Sequence, residues 1–309
     1  MDEIYDVIII GSGPAGLGAG VYCKRYKLKT LVIGKEPGGY LTKTHMIENY
    51  LGFPSILGAE LAKKFQEHAE KVGVELKFFA TVSNIKKNND IFELRTESGE
   101  TFKSYSVIVA IGTVQRRLNV PGEDKFLGKG VSYCATCDAP FFKGKTVCVV
   151  GGSDAAGVTA LMLTEHAKKV YISYRREELR AEPITKERIE KNPKIEIIYK
   201  SNIKEFKGKD KLESIVIDID GEIKEMPMDG VFIEIGSIPS TVLLKNLNVE
   251  TNEQGYIKVK EDMSTSVEGL FAAGDISTGS NNFRQIITAA AEGAIASNSA
   301  FKYIKSMKG

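Results

Sequence analysis

The residues best suited to redox chemistry lie in the segment Ser132–Pro140, where Cys134 and Cys137 are separated by two residues. Cysteines at this spacing can close a small disulfide, and the spacing lowers the pKa of one thiol, whose thiolate is the reactive form. Asp138 follows the second cysteine directly and could move protons as the disulfide opens and closes. The segment is a candidate redox centre, although half of a zinc site or a chance spacing would show the same residues.

The other possible metal ligands are scattered along the chain. Cys23 and Cys148 stand alone in apolar stretches, and His45, His68 and His166 are isolated from one another. A structural zinc site needs four ligands, usually from a second paired set. The cysteine count therefore favours redox chemistry over zinc, and we predict no metal site.

A nucleotide-type turn opens the chain. The apolar run Tyr5–Ile10 is typical of a strand buried on both faces, and Gly11-Ser12-Gly13-Pro14-Ala15-Gly16 follows it, before small residues at helical spacing in 17–26. In this motif the first glycine permits the turn, the second lets the backbone approach a pyrophosphate and the third lets the helix pack on the strand. Glu36, after a predicted strand Thr30–Ile33, lies where an acid would meet a ribose hydroxyl; a solvated loop glutamate is the alternative.

A second turn of this kind follows the cysteines. Thr146–Val150 is predicted to be a buried strand, and Gly151-Gly152-Ser153-Asp154-Ala155-Ala156 leads into a helix through Ala167. After the next strand, Val170–Ser173, come Arg175, Arg176 and Arg180. Guanidinium groups can hold a phosphate through two parallel hydrogen bonds, so we predict a nucleotide 2′-phosphate site here. The alternative is an exposed basic patch paired with Glu177 and Glu178.

The remaining pattern predicts a helix and several further strands. The amphipathic stretch Ala59–Val72 is the helix. The strands are predicted at Phe78–Val82, Ile91–Thr96, Tyr105–Ala110, Ile195–Tyr199, Leu212–Ile219, Val231–Ile235 and just before Gly274. We therefore predict an α/β protein with two Rossmann-like, three-layer nucleotide-binding domains, the second inserted into the first.

Composition agrees with an ordinary globular protein of more than one domain. The chain has 309 residues, with 42% hydrophobic and 27% charged residues. A formal net charge of +2 argues for neither a nucleic acid nor a membrane surface as partner. No apolar run approaches the roughly 20 residues that span a bilayer, and the acidic start Met1–Tyr5 does not resemble a signal peptide. Unpaired cysteines and no export signal indicate a reducing cytoplasm.

A dithiol flanked by two nucleotide-type turns resembles the low-molecular-weight thioredoxin reductases, and the resemblance covers nearly the whole chain. Gly38–Thr42, Glu48–Gly52, Gly269–Asp275 and Arg284–Gly293 also match stretches of that family. The chain departs from the family pattern at a few positions: Tyr40 (usually Gln), Leu51 (Pro), Ser153 (Gly), Tyr174 (His) and Ser240 (Asn).

The resemblance implies an FAD-binding domain formed by residues 1–114 and 245–309, and an NADPH-binding domain with the dithiol formed by residues 115–244. It implies that FAD is bound by Gly11, Ser12, Gly13, Pro14, Ala15, Gly16, Glu36, Gly39, Tyr40, Leu41, Asn49, Gly112, Gly274, Asp275, Arg284, Gln285 and Ile286. It implies that NADPH is bound by Gly151, Gly152, Ser153, Asp154, Ala155, Arg175, Arg176 and Arg180.

The resemblance also implies the reaction. Electrons would pass from NADPH through FAD to the Cys134–Cys137 disulfide and then to a thioredoxin or thioredoxin-like protein. Cys137 would contact the flavin, Cys134 would attack the protein disulfide and Asp138 would donate and accept protons. A cytoplasmic homodimer is expected.

Three alternatives remain open on the sequence. The departures at Ser153, Tyr40 and Tyr174 would also suit another electron donor: NADH, ferredoxin or a deazaflavin. The same flavin and dithiol could act as an oxidase of small dithiols, or as a non-enzymatic flavin redox sensor.

Overall fold

The computed structural model describes residues 4–309, so Met1–Glu3, part of the start at which we expected no signal peptide, lie outside the described residues. The chain divides into two compact units. The first unit contains the residues up to Val114 together with Ile238–Gly309, and the second contains Gln115–Ser237. The family resemblance places residues 238–244 in the second domain, but in the structure they belong to the first unit, where Leu244 is buried in the core.

The first unit is built from both ends of the chain. Its first part runs through β1 (Ile4–Ile10), α1 (Pro14–Arg25), β2 (Thr30–Gly34), β3 (Met46–Ile47), β4 (Ile56–Leu57), α2 (Gly58–Lys71), β5 (Glu75–Phe78), β6 (Val82–Asn88), β7 (Ile91–Thr96), β8 (Thr101–Val109) and the linking strand β9 (Thr113–Gln115).

The second unit runs through α3 (Glu123–Phe126), β10 (Val131–Ser132), α4 (Ala135–Asp138), β11 (Thr146–Val150), α5 (Asp154–Leu163), β12 (Lys169–Ser173), α6 (Pro183–Glu190), β13 (Ile195–Ile198), β14 (Ser201–Lys207), β15 (Ser214–Ile219), β16 (Glu222–Pro227) and β17 (Gly230–Ile233). The chain then returns through β18 (Ser237–Pro239), which pairs with β9, to β19 (Leu270–Ala272) and α7 (Ile286–Lys308).

The first unit is organised around a parallel sheet with strand order β5-β2-β1-β8-β19, extended by the antiparallel strands β7 and β6. Val7 and Ile9 of β1 pack into one core cluster, whereas Ile8 and Ile10 pack into another. β1 is therefore buried on both faces, as its continuous apolar sequence predicted. The helices α1 and α7 cover one face and share a core with Val7 and Ile9.

The second unit has three layers. Its parallel sheet has the order β10-β17-β11-β12-β13. Val147 and Val149 of β11 face a core shared with α5, while Cys148 and Val150 face the antiparallel sheet β14-β15-β16. The predicted class, α/β with two Rossmann-like units, is confirmed.

One strand prediction in the chain is wrong, and several strands were not predicted. A strand over Phe78–Val82 is wrong, because Phe79 adopts a positive φ of 56° and the chain turns there between β5 and β6. The edge strands β14 and β16 were not predicted, because lysines and glutamates interrupt their apolar residues.

Candidate functional site

Cys134 and Cys137 are joined by a disulfide with an S–S distance of 2.09 Å. Cys134 precedes the first residue of the short helix α4, and its carbonyl accepts hydrogen bonds from the N–H groups of Cys137 at 3.2 Å and Asp138 at 3.1 Å. The N–H of Cys134 donates to the buried Ser132 Oγ at 3.0 Å. The main chain on both sides of Cys134 is thus held by hydrogen bonds, and the pair predicted from spacing does form a disulfide.

The residues in and after the disulfide differ in their exposure to solvent. Cys134 is half-buried and Cys137 is exposed. Asp138 is half-buried, and its carboxylate makes no hydrogen bond or ion pair with any of residues 4–309, which leaves it available for proton transfer. Phe141 is 73% exposed, whereas Phe142 is buried against Phe232.

The other two cysteines are thiols with no part in this site. Cys23 and Cys148 are both fully buried. Burial raises the pKa of each to about 12, so neither forms a thiolate near neutral pH. Among the described residues there is no group of three or more His, Cys, Asp or Glu side chains that could hold a metal ion.

The glycines of the first nucleotide-type turn are needed for two different reasons. A Cβ on Gly11, whose φ is +113°, would lie 2.1 Å from the carbonyl oxygen of Ala110, and a Cβ on Gly16 would lie 1.8 Å from that of Gly11. By contrast, a Cβ on Gly13 would meet nothing nearer than the Gly38 carbonyl oxygen at 3.9 Å. Packing explains the outer glycines, while the middle one leaves an open cradle at the start of α1, as pyrophosphate binding requires.

Loops that follow β2 lie beside this turn. Ser12 Oγ donates to the carbonyl of Glu36 at 2.7 Å, and the Glu36 carboxylate pairs with Lys43 Nζ at 3.0 Å. The place of a Cβ on Gly39 is 3.3 Å from Gly13 Cα. The side chain of Leu41 is buried in a core cluster, so any part Leu41 takes in cofactor binding uses its main chain.

The end of β19 reaches the same turn from the other side. Gly274, with a φ of +76°, has its Cβ position 3.0 Å from Ala15 Cβ. Burial raises the pKa of the neighbouring Asp275, an effect that the Arg284 guanidinium opposes. Arg284 Nε donates to the Asp275 carbonyl at 3.3 Å, and its guanidinium lies 3.8 Å from the ring centre of Tyr256.

Two further contacts join distant parts of the first unit. Asn49 Nδ2 donates to Gln285 Oε1 at 3.2 Å, although 236 residues separate them. Gln285 also caps α7 together with Thr288. The structure therefore brings the glycine turn, the loops after β2, Asp275 and the start of α7 together, as one continuous candidate cofactor site.

Glu292 is a residue of this site that the sequence analysis missed. It is 4% exposed, and its carboxylate accepts from the N–H of Gly274 at 2.7 Å and from Ser277 Oγ at 3.1 Å. It therefore fixes the loop that carries Asp275. The available signal was a single carboxylate among the small residues Ala289–Gly293 of a buried helix face.

The second turn, in the second unit, is closed in by protein on one side. A Cβ on Gly151 would lie 2.2 Å from the Glu234 carbonyl oxygen, and one on Gly152 would lie 2.3 Å from the ring of Tyr174. Ser153, at the family's middle-glycine position, is half-buried and precedes α5 without capping it through its side chain. Asp154 Oδ1 accepts from the N–H of Glu182 at 3.1 Å.

All three arginines are exposed, but among the described residues only Arg180 has a side-chain hydrogen bond, which it makes to a buried tyrosine. Arg175 and Arg176 are exposed, and neither side chain has a hydrogen bond or ion pair within residues 4–309. The neighbouring acids do not pair with them, because Glu177 binds Lys200 and Glu178 binds Lys186.

Arg180 is held by two contacts. Its N–H donates to the Gly152 carbonyl at 2.7 Å, and its Nε donates to the hydroxyl of Tyr174, which is only 5% exposed, at 3.1 Å. The site thus offers guanidinium groups without carboxylate partners, which suits a phosphate ligand.

Glu234, at the end of β17 beside the second turn, should make the stability of the protein depend on pH. Burial raises the pKa of its carboxyl to about 7, and a hydrogen bond from Thr159 Oγ1 at 3.1 Å opposes this only in part. In the unfolded chain the pKa is about 4.3. Between about pH 4.5 and 7 the folded protein therefore holds a proton that the unfolded chain has lost, and the free energy of unfolding falls as pH rises.

We accordingly expect Glu234→Gln to stabilise the protein at pH 8 by roughly 1–3 kcal/mol and to change little at pH 5. Thermal melting at the two pH values measures this. Glu213→Gln, at an exposed position of the same unit, is the control and should have no effect at either pH. Equal stabilisation by Glu234→Gln at both pH values would contradict the assigned pKa.

Comparison with known proteins identifies relatives over the full length of the chain. Residues 5–293 match the family model described as pyridine nucleotide-disulphide oxidoreductase. The chain is 43% identical over 311 residues to the thioredoxin reductase of Bacillus subtilis, covering 99% of this chain and 97% of that one.

Solved structures agree with the sequence relatives. The Lactococcus lactis thioredoxin reductase in its FR conformation has a TM-score of 0.94 at 40% identity, covering 98% of this chain and 99% of that one. The T. acidophilum thioredoxin reductase has a TM-score of 0.93 at 36% identity, covering 99% and 100%.

Proposed function

The chain belongs to the thioredoxin reductases of the pyridine nucleotide-disulphide oxidoreductase family, and on that basis we propose that Cys134 and Cys137 form its redox centre. The resemblance noted from the sequence is confirmed. The protein is an FAD-dependent enzyme that transfers electrons from NADPH to a protein disulfide. The proposal for the cysteines rests on the Cys134–Cys137 disulfide itself. The disulfide lies in the same unit as Arg175 and Arg176, which have no carboxylate partners among the described residues. NADPH-driven reduction of a thioredoxin, which should require both cysteines, tests it.

FAD, held by the first unit, would supply the electron-transfer chemistry between NADPH and the disulfide, a transfer of two electrons. When the S–S bond breaks, Cys137 is proposed to be the thiol that faces the flavin. Cys134 is then proposed to attack the thioredoxin disulfide as a thiolate, with formation of a mixed disulfide that Cys137 resolves. Asp138, whose carboxylate has no partner among the described residues, is proposed to donate and accept the protons.

FAD is proposed to bind across the first unit. The open cradle at Gly13 and the N–H groups at the start of α1 would hold the pyrophosphate. Asp275, fixed by Glu292, would bind a polyol hydroxyl of the cofactor, and Arg284 and Gln285 would lie beside its ring system. Glu36, although paired with Lys43, is proposed to accept from a ribose hydroxyl.

The glycine turn provides a prediction with an internal control. Gly13→Ala should fold normally, because its new Cβ would meet no protein atom closer than 3.9 Å, but should weaken FAD binding about tenfold or more by entering the phosphate cradle. Gly16→Ala should fail to fold, because its Cβ would lie 1.8 Å from a carbonyl oxygen. Flavin absorbance per protein after dialysis, and the far-ultraviolet circular dichroism of both apoproteins, measure these outcomes. An unchanged FAD affinity in Gly13→Ala would contradict the proposed cradle.

NADPH is proposed to bind at the second turn. Gly151–Ala155 would face the pyrophosphate at the start of α5, and Arg175 and Arg176 would hold the 2′-phosphate. Arg180, oriented by Tyr174, would present its remaining N–H groups to the same phosphate.

The partner is proposed to be a thioredoxin or thioredoxin-like protein, and the active form is proposed to be a homodimer in the cytoplasm. No helix in residues 4–309 is long and apolar enough to cross a bilayer.

A further inference from the structure

Glu123 is a buried carboxylate that the reaction does not use directly. It is 2% exposed, although glutamates are rarely buried unless they are paired. Its oxygens accept a hydrogen bond from the Tyr133 hydroxyl, from the N–H of Asn119 at 2.6 Å and from Arg117 Nε at 3.3 Å. This set of four residues, the Glu123 cluster, lies wholly within the second unit.

Glu123 and Tyr133 keep the same ionisation states over a wide pH range. Burial alone would raise the pKa of Glu123, but the hydrogen bonds from Tyr133, Asn119 and Arg117 outweigh it and the net pKa is lowered. Burial and the bond to Glu123 raise the pKa of Tyr133 to about 12. Glu123 therefore stays ionised and Tyr133 stays a hydrogen-bond donor at any pH at which the protein would work.

Tyr133 links this cluster to the redox centre, because it is the residue before Cys134. Its carbonyl accepts from Gln115 Nε2 at 2.7 Å, while its hydroxyl donates to Glu123. Tyr133, which precedes Cys134, is thus held both through its main-chain carbonyl and through its side-chain hydroxyl. The residues that hold it, 115–123, are the first of the second unit.

We propose that Glu123 and Tyr133 are positioning residues that hold Cys134 within bonding distance of Cys137. The stability of a disulfide depends on the effective concentration of its two thiols, which the protein sets by limiting their motion. When the disulfide takes up two electrons and two protons, the S–S bond breaks and both thiols form. If Cys134 is then free to move, the disulfide re-forms less readily and the midpoint potential of the pair rises.

The test is a redox titration of the FAD-loaded protein in dithiothreitol buffers, with quenching and alkylation to count thiols. Tyr133→Phe and Glu123→Gln should each lower the effective concentration about tenfold, which raises the midpoint potential by about 30 mV. The midpoint potential of the double variant should rise no further than that of either single variant, because both substitutions remove the same hydrogen bond between Tyr133 and Glu123.

Tyr171→Phe is the matched control. Tyr171 packs against the same core cluster as Tyr133, and its hydroxyl has no hydrogen bond among residues 4–309, so its midpoint should equal that of the wild type. Tyr133→Phe keeps the ring and should fold even if Glu123→Gln does not. An unchanged or lowered midpoint in Tyr133→Phe, or additive shifts in the double variant, would overturn the proposal.

This inference rests on the redox role proposed for the cysteines, but its test uses neither NADPH nor thioredoxin. Failure of the donor or partner assignment would therefore leave the titration interpretable.

Discussion

Cys134→Ser is expected to lower thioredoxin reduction by about a thousandfold or more, while NADPH still reduces the bound flavin at the wild-type rate. The substitution removes the thiolate that attacks the partner disulfide and leaves Cys137 without the thiol needed to re-form the intramolecular disulfide. Neither Cys23 nor Cys148 can replace Cys134, because both are fully buried. Cys137→Ser should cause an equal loss. Stopped-flow flavin absorbance and steady-state turnover with thioredoxin measure the two steps separately.

The same variants separate the roles of the two cysteines. In Cys134→Ser the remaining Cys137 thiolate should give a long-wavelength absorption band beside oxidised flavin, and Cys137→Ser should show none. Cys148→Ser, which removes a buried thiol of the same unit, is the control and should keep full activity. A band in Cys137→Ser alone would show that the roles are exchanged. The exposure of the two cysteines makes this outcome worth testing, because Cys137 is the more accessible to a protein partner.

The second large effect is expected from Arg175→Ala combined with Arg176→Ala, which should remove most of the preference for NADPH over NADH. The 2′-phosphate is the only difference between the nucleotides and carries up to two negative charges. A hydrogen bond to a charged group contributes about 1.5–3 kcal/mol, and each 1.4 kcal/mol is a tenfold change in affinity. Two such bonds correspond to a preference on the order of a hundredfold, reduced by salt at this exposed site.

The measurement is the rate of anaerobic flavin reduction by each nucleotide. In the double variant, flavin reduction by NADPH should slow to about the rate with NADH, while reduction by NADH should be little changed. Lys209→Ala with Lys211→Ala removes two exposed charges of the same unit and should change neither rate. Ser153, in place of the family's glycine, should weaken the binding of both nucleotides alike, because both carry the pyrophosphate that the second turn is proposed to bind. Equal reduction of the wild type by NADPH and NADH would mean that the arginines are only a surface patch.

Much of the fold follows from local sequence. The strands β1 and β11 are continuous apolar runs, because parallel strands between two layers bury both faces. The two glycine turns after them are marked by the spacing of their glycines, and Gly11 adopts a φ of +113° in the first of them. Such features depend on neighbours in the chain, so they could be predicted.

The supporting residues of the site depend on distant contacts and could not be predicted. The Glu292 carboxylate accepts hydrogen bonds from Gly274 and Ser277. Nothing in the sequence around Glu292 indicates which loop it binds. Tyr174, at a position where the family usually has histidine, turned out to be buried against Gly152 with Arg180 on its hydroxyl.

Steady-state oxidation of NADPH by the purified, FAD-loaded protein, with a thioredoxin as the only acceptor under anaerobic conditions, tests the proposed electron path most directly. We expect one thioredoxin disulfide to be reduced for each NADPH oxidised, with turnover abolished in Cys134→Ser. If NADPH fails to reduce the flavin while reduced ferredoxin, a deazaflavin or a small dithiol succeeds, or if NADPH is oxidised without the appearance of thioredoxin thiols, the proposed electron path is contradicted.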